Sequence, residues 1–207
     1  MSDSPPPTAR AEVVNAVKNA LATHGYAGLT TKKVAAESEK SEAFFFYHYD
    51  TKDDLVVAFL DWAIEHNRDQ LSALDDDPVT RLYDALDFLV GDPADDVDRG
   101  INVAMMELLS HAPHNERFYE RLTAYEASVI DLFVDIVEEG IARGQFVEVD
   151  AHDVASYLVV TANGTAGAAM ALGMHDVDAG VRRELDRYLR TNVLAPGVAP
   201  PEGVLVP

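Results

Sequence analysis

Apolar residues recur along this chain at intervals of three and four, with no sustained two-residue alternation, so the whole pattern predicts helices. A first helix spans about Ala9–His24, its stripe formed by Val13, Val17, Ala20 and Leu21, and stops at Gly25. Thr30 is placed to cap a short helix through about Glu37, and Ser41 to cap another through about Tyr47. Asp50-Thr51-Lys52-Asp53-Asp54 reads as a variant capping box opening a long helix to about Leu74. Asp75-Asp76-Asp77-Pro78 ends it and starts the next, which reaches about Val90. The acidic stretch Gly91–Gly100 reads as a loop, followed by a helix over about Ile101–His111 that stops before Pro113.

The longest helix, about Asn115–Arg143, carries Phe118, Leu122, Tyr125, Val129, Leu132 and Ile136 as a bundle seam. Its second half adds Ile130, Phe133, Val134 and Val137, so it must bury two sides. The helix over about Asp150–Gly173 holds no charged residue between Asp153 and Asp176. Ser156, Thr161, Asn163 and Thr165 interrupt it and no lysine or arginine flanks it, which argues against a membrane span. Its small residues instead permit close approach of another helix. A last helix over about Ala179–Val193 bears four arginines, and the Pro/Gly-rich end from Ala195 reads as a flexible tail. The chain is therefore expected to be all-α: a flexible lead-in over 1–7, a three-helix head over 8–54, a helical body over 55–194 and a tail over 195–207.

Composition changes this picture in two ways. The absence of cysteine excludes disulfides, zinc–thiolate sites and thiol catalysis. The first ten residues show no basic region followed by an apolar run, so no secretory signal is visible and a cytoplasmic protein is expected. A net charge of −20 argues against contact with phosphates, yet its distribution is uneven. Residues 1–58 carry 8 acidic against 6 basic side chains, a net of −2, and residues 59–207 carry 28 against 10, a net of −18. Four of the five lysines (Lys32, Lys33, Lys40 and Lys52, but not Lys18) lie between residues 32 and 52. An acidic surface that avoids lysine resembles the proteins of salt-accumulating halophilic archaea.

Three short helices and a long one within about 60 residues is the layout of a helix-turn-helix head on a helical body. Residues Gly25–Leu55 read GYAGLTTKKVAAESEKSEAFFFYHYDTKDDL. With Gly25-Tyr26, Thr30-Thr31, Val34-Ala35, Ser41, Phe46-Tyr47-His48-Tyr49 and Lys52-Asp53-Asp54-Leu55, this segment resembles the N-terminal domain of TetR-type regulators without a gap. The join at Gly140 and Arg143-Gly144-Gln145-Phe146 extends a looser resemblance into the body. The resemblance implies a homodimeric, ligand-responsive regulator, most simply a repressor, that binds a palindromic double-stranded operator and is not an enzyme.

On the third helix Phe45 and Tyr49 lie four apart and are expected in the core, leaving Phe44, Tyr47 and His48 outward. Phe44 suits a thymine methyl, and Tyr47 or His48 suits phosphate. Thr31, Lys32, Lys33 and Lys52 are placed for backbone contacts. The family commonly has tyrosine where Phe46 stands, and phenylalanine lacks the hydroxyl. The family's Ala-Gly-Val turn is here Ser38-Glu39-Lys40, so the loss of glycine implies a different or a strained turn. Lys40 either leaves a gap or points at DNA. Glu42 either accepts from cytosine N4 or favours the helix N-terminus.

By resemblance, a sensing pocket lies between the fourth helix and the long bundle helix. Phe59, Trp62, Phe88, Met105, Met106, Leu109, Phe118 and Tyr125 are its candidate lining, and the scarcity of basic residues favours an apolar or cationic effector. Val129, Phe133, Val137, Tyr157, Gly164, Ala168 and Ala171 are the candidate dimer interface. His111, His114 and Glu107 could form a metal site, although Pro113 interrupts their spacing, and no cofactor motif stands out. A helical adaptor or small-molecule-binding protein without sequence-specific DNA binding is the rival reading, motivated by Glu39 and Glu42.

Overall fold

A computed structural model of the chain describes residues 7–72, 77–91 and 96–205. Helices follow in the order α1 (Pro7–Gly28), α2 (Thr31–Ala36), α3 (Glu42–His48), α4 (Lys52–Ser72), α5 (Pro78–Val90), α6 (Asp96–His111), α7 (Glu116–Ala142), α8 (Ala151–Leu172) and α9 (His175–Asn192). A 3₁₀ turn, Ala112–His114, joins α6 to α7. Among the described residues there is no strand beyond one isolated bridge between Phe146 and Leu194. No helix described is long and apolar enough to cross a membrane. The chain divides into two compact units, Met1–Glu65 with Pro93–Tyr125, and His66–Asp92 with Glu126–Pro207. The lead-in before Pro7 and the Asp75-Asp76 stop lie outside the described residues.

Local capping chemistry sets many of the boundaries. Thr30 accepts from Lys33 N, Ser41 from Phe44 N, Asp77 from Thr80 N and Asp150 from Asp153 N, each satisfying an otherwise orphaned first-turn amide. Thr51 and Asp54 form the reciprocal box: Thr51 N donates to Asp54 Oδ2 at 2.7 Å and Asp54 N to Thr51 Oγ1 at 3.2 Å. Burial acts to raise the Asp54 carboxyl, but the hydrogen bonds from Thr51 and Arg117 outweigh it and hold it below the usual range.

The first unit has one core, in which Val13, Val17, Leu21, Val34, Phe45, Leu55, Phe59, Leu60, Leu108 and Phe118 are buried. The regular helix of α1 stops at Gly25 as its pattern predicts: the backbone there is not helical (φ 63, ψ 174), and a short second helical turn follows to Gly28. α1 and α6 run in close contact, and at Gly100 a Cβ would stand 2.5 Å from the Ala22 carbonyl oxygen. Residues 96–100, expected as part of a loop, are the first turns of α6, and residues 92–95 are not described.

In the second unit α5, the later part of α7, α8 and α9 bury Leu82, Tyr83, Leu86, Phe133, Ile136, Leu158, Val159, Leu185 and Leu189. Arg182 ties α9 to α5, donating to Asp87 Oδ1 and the Val90 carbonyl, both at 2.6 Å, while Tyr83 donates its hydroxyl to Asp186 at 3.0 Å. Gly140 is required by packing, since a Cβ there would lie 2.1 Å from the Phe146 ring. α9 begins one turn earlier than the sequence pattern suggests, at His175. Residues 195–205 also differ from the expected free tail: Ala195 N donates to Gln145 O at 2.8 Å, and Leu205 is buried.

Candidate DNA-binding surface

Helices α2 and α3 are anchored to the first-unit core through Val34, Phe45 and Tyr49, the last two as their spacing predicts. The phase of α3 is otherwise different from the expected one. Phe44 is half-buried against the core, with its ring centroid 5.6 Å from Phe45 and 4.5 Å from His48. The outward aromatics are Phe46 and Tyr47, 57% and 70% exposed. The expectation that Phe44 points outward is therefore corrected: α3 is rotated so that Phe44 and His48, four apart, flank the buried Phe45–Tyr49 stripe and Phe46 and Tyr47 face away from it. His48 stacks against both Phe44 and Tyr47, the latter at 4.8 Å. Ser41 and Glu42 are exposed at the start of α3.

The turn before α3 is a different one rather than a strained one. None of Ser38, Glu39 and Lys40 has a positive φ, so no glycine is needed. Glu12, on α1, supplies the tie: its Oε1 accepts from Ser38 Oγ at 2.8 Å and from Glu39 N at 3.1 Å, and its Oε2 lies 3.1 Å from Lys40 Nζ. The Ser38 hydroxyl first, and Lys40 beside it, hold the Glu12 carboxyl below its ordinary pKa. Lys40 thus neither leaves a gap nor stands free. Sequence reasoning passed over Glu12, although its place three residues after buried Ala9, on the edge of the inward stripe, was the available signal.

Two further lysines are also engaged within the chain. Lys33 Nζ donates to Gly28 O at 2.7 Å. Lys52 Nζ donates to Tyr26 O at 3.1 Å and sits 4.1 Å above the Tyr26 ring centroid. Lys32 is exposed and Thr31 is half-buried, both on α2. Tyr26 also donates its hydroxyl to Asp53 at 2.8 Å, and burial, then Asp53, pushes its pKa up to about 12. Glu107 of α6 grips the joint after Gly25, accepting from Tyr26 N at 2.7 Å and Ala27 N at 2.8 Å. The Glu107 carboxylate is thereby committed to backbone amides, and His111 stacks on Tyr26 at 4.8 Å. Among the described residues no group of three or more potential ligands is arranged for a metal ion.

The family model for bacterial regulatory proteins of the tetR family matches residues 14–59. The model for the C-terminal part of BetI-type transcriptional repressors matches residues 62–194. The chain belongs to the TetR family. A TetR transcription regulator from Haloarcula marismortui is 34% identical, covering 89% of this chain and 97% of that one at a TM-score of 0.78. A TetR transcriptional regulator from Chloroflexus aurantiacus is 22% identical over 91% of this chain and 97% of that one, at a TM-score of 0.70. A transcriptional regulator from Saccharomonospora viridis, solved in complex with choline, is 18% identical over 91% and 99%, at a TM-score of 0.72. Among curated proteins, none matches. As a TetR-family member the chain is a DNA-binding regulator rather than an enzyme.

The residues expected in the effector pocket are divided between the two units. Phe59 and Phe118 are buried in the first-unit core, with Trp62 and Met105 packed against it, and Phe59 and Trp62 have ring centroids 6.1 Å apart. Met106 and Tyr125 are half-buried and Leu109 is exposed. Phe88, on α5 of the second unit, is also exposed. Of the expected interface, Val129, Phe133 and Val137 are buried within their own unit. That burial corrects their assignment, since they face the chain's own α-helices and offer a partner no surface. Tyr157, Gly164 and Ala171 are exposed on α8 and Ala168 is half-buried, beside the exposed Val160 and Leu172.

Proposed function

We propose that this TetR-family chain is a homodimeric repressor that binds a palindromic operator through α3 and releases it on binding a small effector. The observation carrying this reading is the pair Phe46 and Tyr47, more than half exposed on a helix whose neighbours Phe45 and Tyr49 are buried. Large aromatics held outward on a short, capped helix suit apolar contact with thymine methyls and phosphate contact through the tyrosine hydroxyl. Ser41, Glu42, Thr31 and Lys32 border them. The match to a BetI-type repressor C-terminal model supports repression. The exposed α8 face of Tyr157, Val160, Gly164, Ala171 and Leu172, rich in small residues, supports a helix-to-helix dimer contact.

The effector is a small cationic or apolar molecule, a preference supported by the choline held by the Saccharomonospora regulator and by the scarcity of basic residues in the body. The acid excess, with the Haloarcula relative, supports a cytoplasm rich in salt. Counterion release drives little binding there, because affinity falls by about 0.9 log units per phosphate contact for each log unit of salt. With Lys33, Lys40 and Lys52 engaged within the chain, recognition rests on α3 contacts that salt does not screen. Sequencing the DNA that co-purifies with the protein tests the reading. A shared two-fold-symmetric motif, released by a quaternary ammonium compound, is expected. Enrichment of no motif would overturn it in favour of a helical adaptor.

A further inference from the structure

We propose that Glu12 is a positioning residue for operator binding: it fixes the turn ahead of α3 and holds the Lys40 ammonium away from the DNA phosphates. The inference rests on reading α3 as the recognition helix. One carboxylate makes three contacts with three consecutive residues of that turn. Oε1 takes the Ser38 hydroxyl at 2.8 Å and the Glu39 amide at 3.1 Å, and Oε2 takes the Lys40 ammonium at 3.1 Å. Ser38 Oγ in turn accepts from Lys40 N at 3.0 Å, so the side chain of Glu12 and the backbone of the turn form one closed network.

The consequence for α3 is direct. Lys40 immediately precedes Ser41, whose hydroxyl caps α3, so the turn sets where the helix begins and how Phe46 and Tyr47 are presented. The rigid end of the tie is well founded: Glu12 follows buried Ala9 and precedes buried Val13 on α1. A glycine would set such a turn through its backbone freedom, whereas here a distant side chain does so with ordinary backbone angles. The second consequence is electrostatic. Lys40 lies at the edge of the surface that must approach phosphates, and its charge is cancelled by Glu12 rather than offered to DNA. Each lysine withheld in this way removes one counterion-releasing contact, which keeps binding less sensitive to salt.

The two consequences separate in variants. Glu12→Gln keeps an Oε1 acceptor for Ser38 and Glu39 but has no charge for Lys40, whereas Glu12→Ala removes both ties. The measurement is the slope of log affinity against log salt on the co-purifying operator, for wild type, E12Q, K40Q, E12Q/K40Q and E12A. With two copies of Lys40 in the operator-bound dimer, the slope of E12Q is expected to steepen by about 1.8, which is about 60-fold in affinity over a tenfold change in salt. K40Q alone should leave the wild-type slope, and E12Q/K40Q should return to it. A K40Q slope shallower by about 1.8 would show Lys40 already on phosphate and overturn the withholding, as would an E12Q slope equal to wild type.

The positioning half is read on the DNA-free protein by amide exchange at Glu39. Exchange is expected to be slow in wild type and E12Q and severalfold faster in E12A, with the Phe45 amide unchanged. Equal Glu39 exchange in all three overturns it, whether or not the operator is bound. Loss of wild-type operator binding with the Glu39 pattern intact would instead count against α3 as the recognition helix.

Discussion

Gly25→Ala tests how the head is joined to α6. At φ 63 and ψ 174, Gly25 occupies a region that is essentially reserved for glycine, and forcing a Cβ into it costs about 1–3 kcal/mol. The added carbon would also lie 2.8 Å from Glu107 Oε2, too close for the carboxylate to stay in place. That oxygen accepts from Tyr26 N, and its neighbour accepts from Ala27 N. Hydrogen bonds to a charged acceptor contribute about 1.5–3 kcal/mol each when sheltered. The one to Ala27 is exposed, so disturbing the pair costs about 2 kcal/mol. The sum is about 3–5 kcal/mol, or a fall in Tm on the order of 10 °C for a chain of this size. Urea and thermal unfolding of G25A, E107A and the double variant supply the numbers. Because both changes disturb the same two bonds, the double variant should cost less than the sum by about 1–2 kcal/mol. A G25A protein within about 1 kcal/mol of wild type would refute the account of this joint, and strict additivity would show that Gly25 and Glu107 act separately.

Other consequences are open to simpler checks. Asp77→Ala removes the Thr80 cap and the 2.6 Å partner of Gln145, and should cost about 1–2 kcal/mol in urea unfolding. The Tyr26 pKa is raised in the folded state, so its contribution is complete below pH 10 and lost as pH climbs from 10 towards about 12. Tyr26→Phe should abolish that part of the alkaline loss when thermal stability is followed against pH. Replacing Gly164 with leucine on the proposed dimer face should shift sedimentation from dimer to monomer while leaving the helical circular-dichroism signal unchanged.

Local chemistry was legible in the sequence because caps act within three or four residues. Thr30, Ser41 and the Thr51–Asp54 pair could be read from neighbours alone, and all three stand at helix starts, as do Asp77 and Asp150, whose positions the pattern marked as helix bounds. The burial of Phe45 and Tyr49 was legible for the same reason, being a matter of spacing. Three things were not. The Phe44–Phe46 exchange depends on how a seven-residue helix is rotated about its axis, which no period of so few residues determines. The partners of Lys40 and Lys52 lie far along the chain, Glu12 and Tyr26 being reached only through tertiary packing. Val129, Phe133 and Val137 are apolar on one face of α7, and spacing alone does not say whether such a face meets the same chain or another copy. The acidic run before Gly100 misled in the opposite sense, since its polarity hid the first turns of α6.

The central claim is that α3 reads DNA through its outward aromatic pair, and footprinting on the DNA upstream of the chain's own gene tests it most directly. Wild type should protect a two-fold-symmetric site whose half-sites lie about one helical turn apart, and F46A/Y47A should lose that protection while unfolding at the wild-type temperature. Undiminished protection by a folded F46A/Y47A protein would contradict the account.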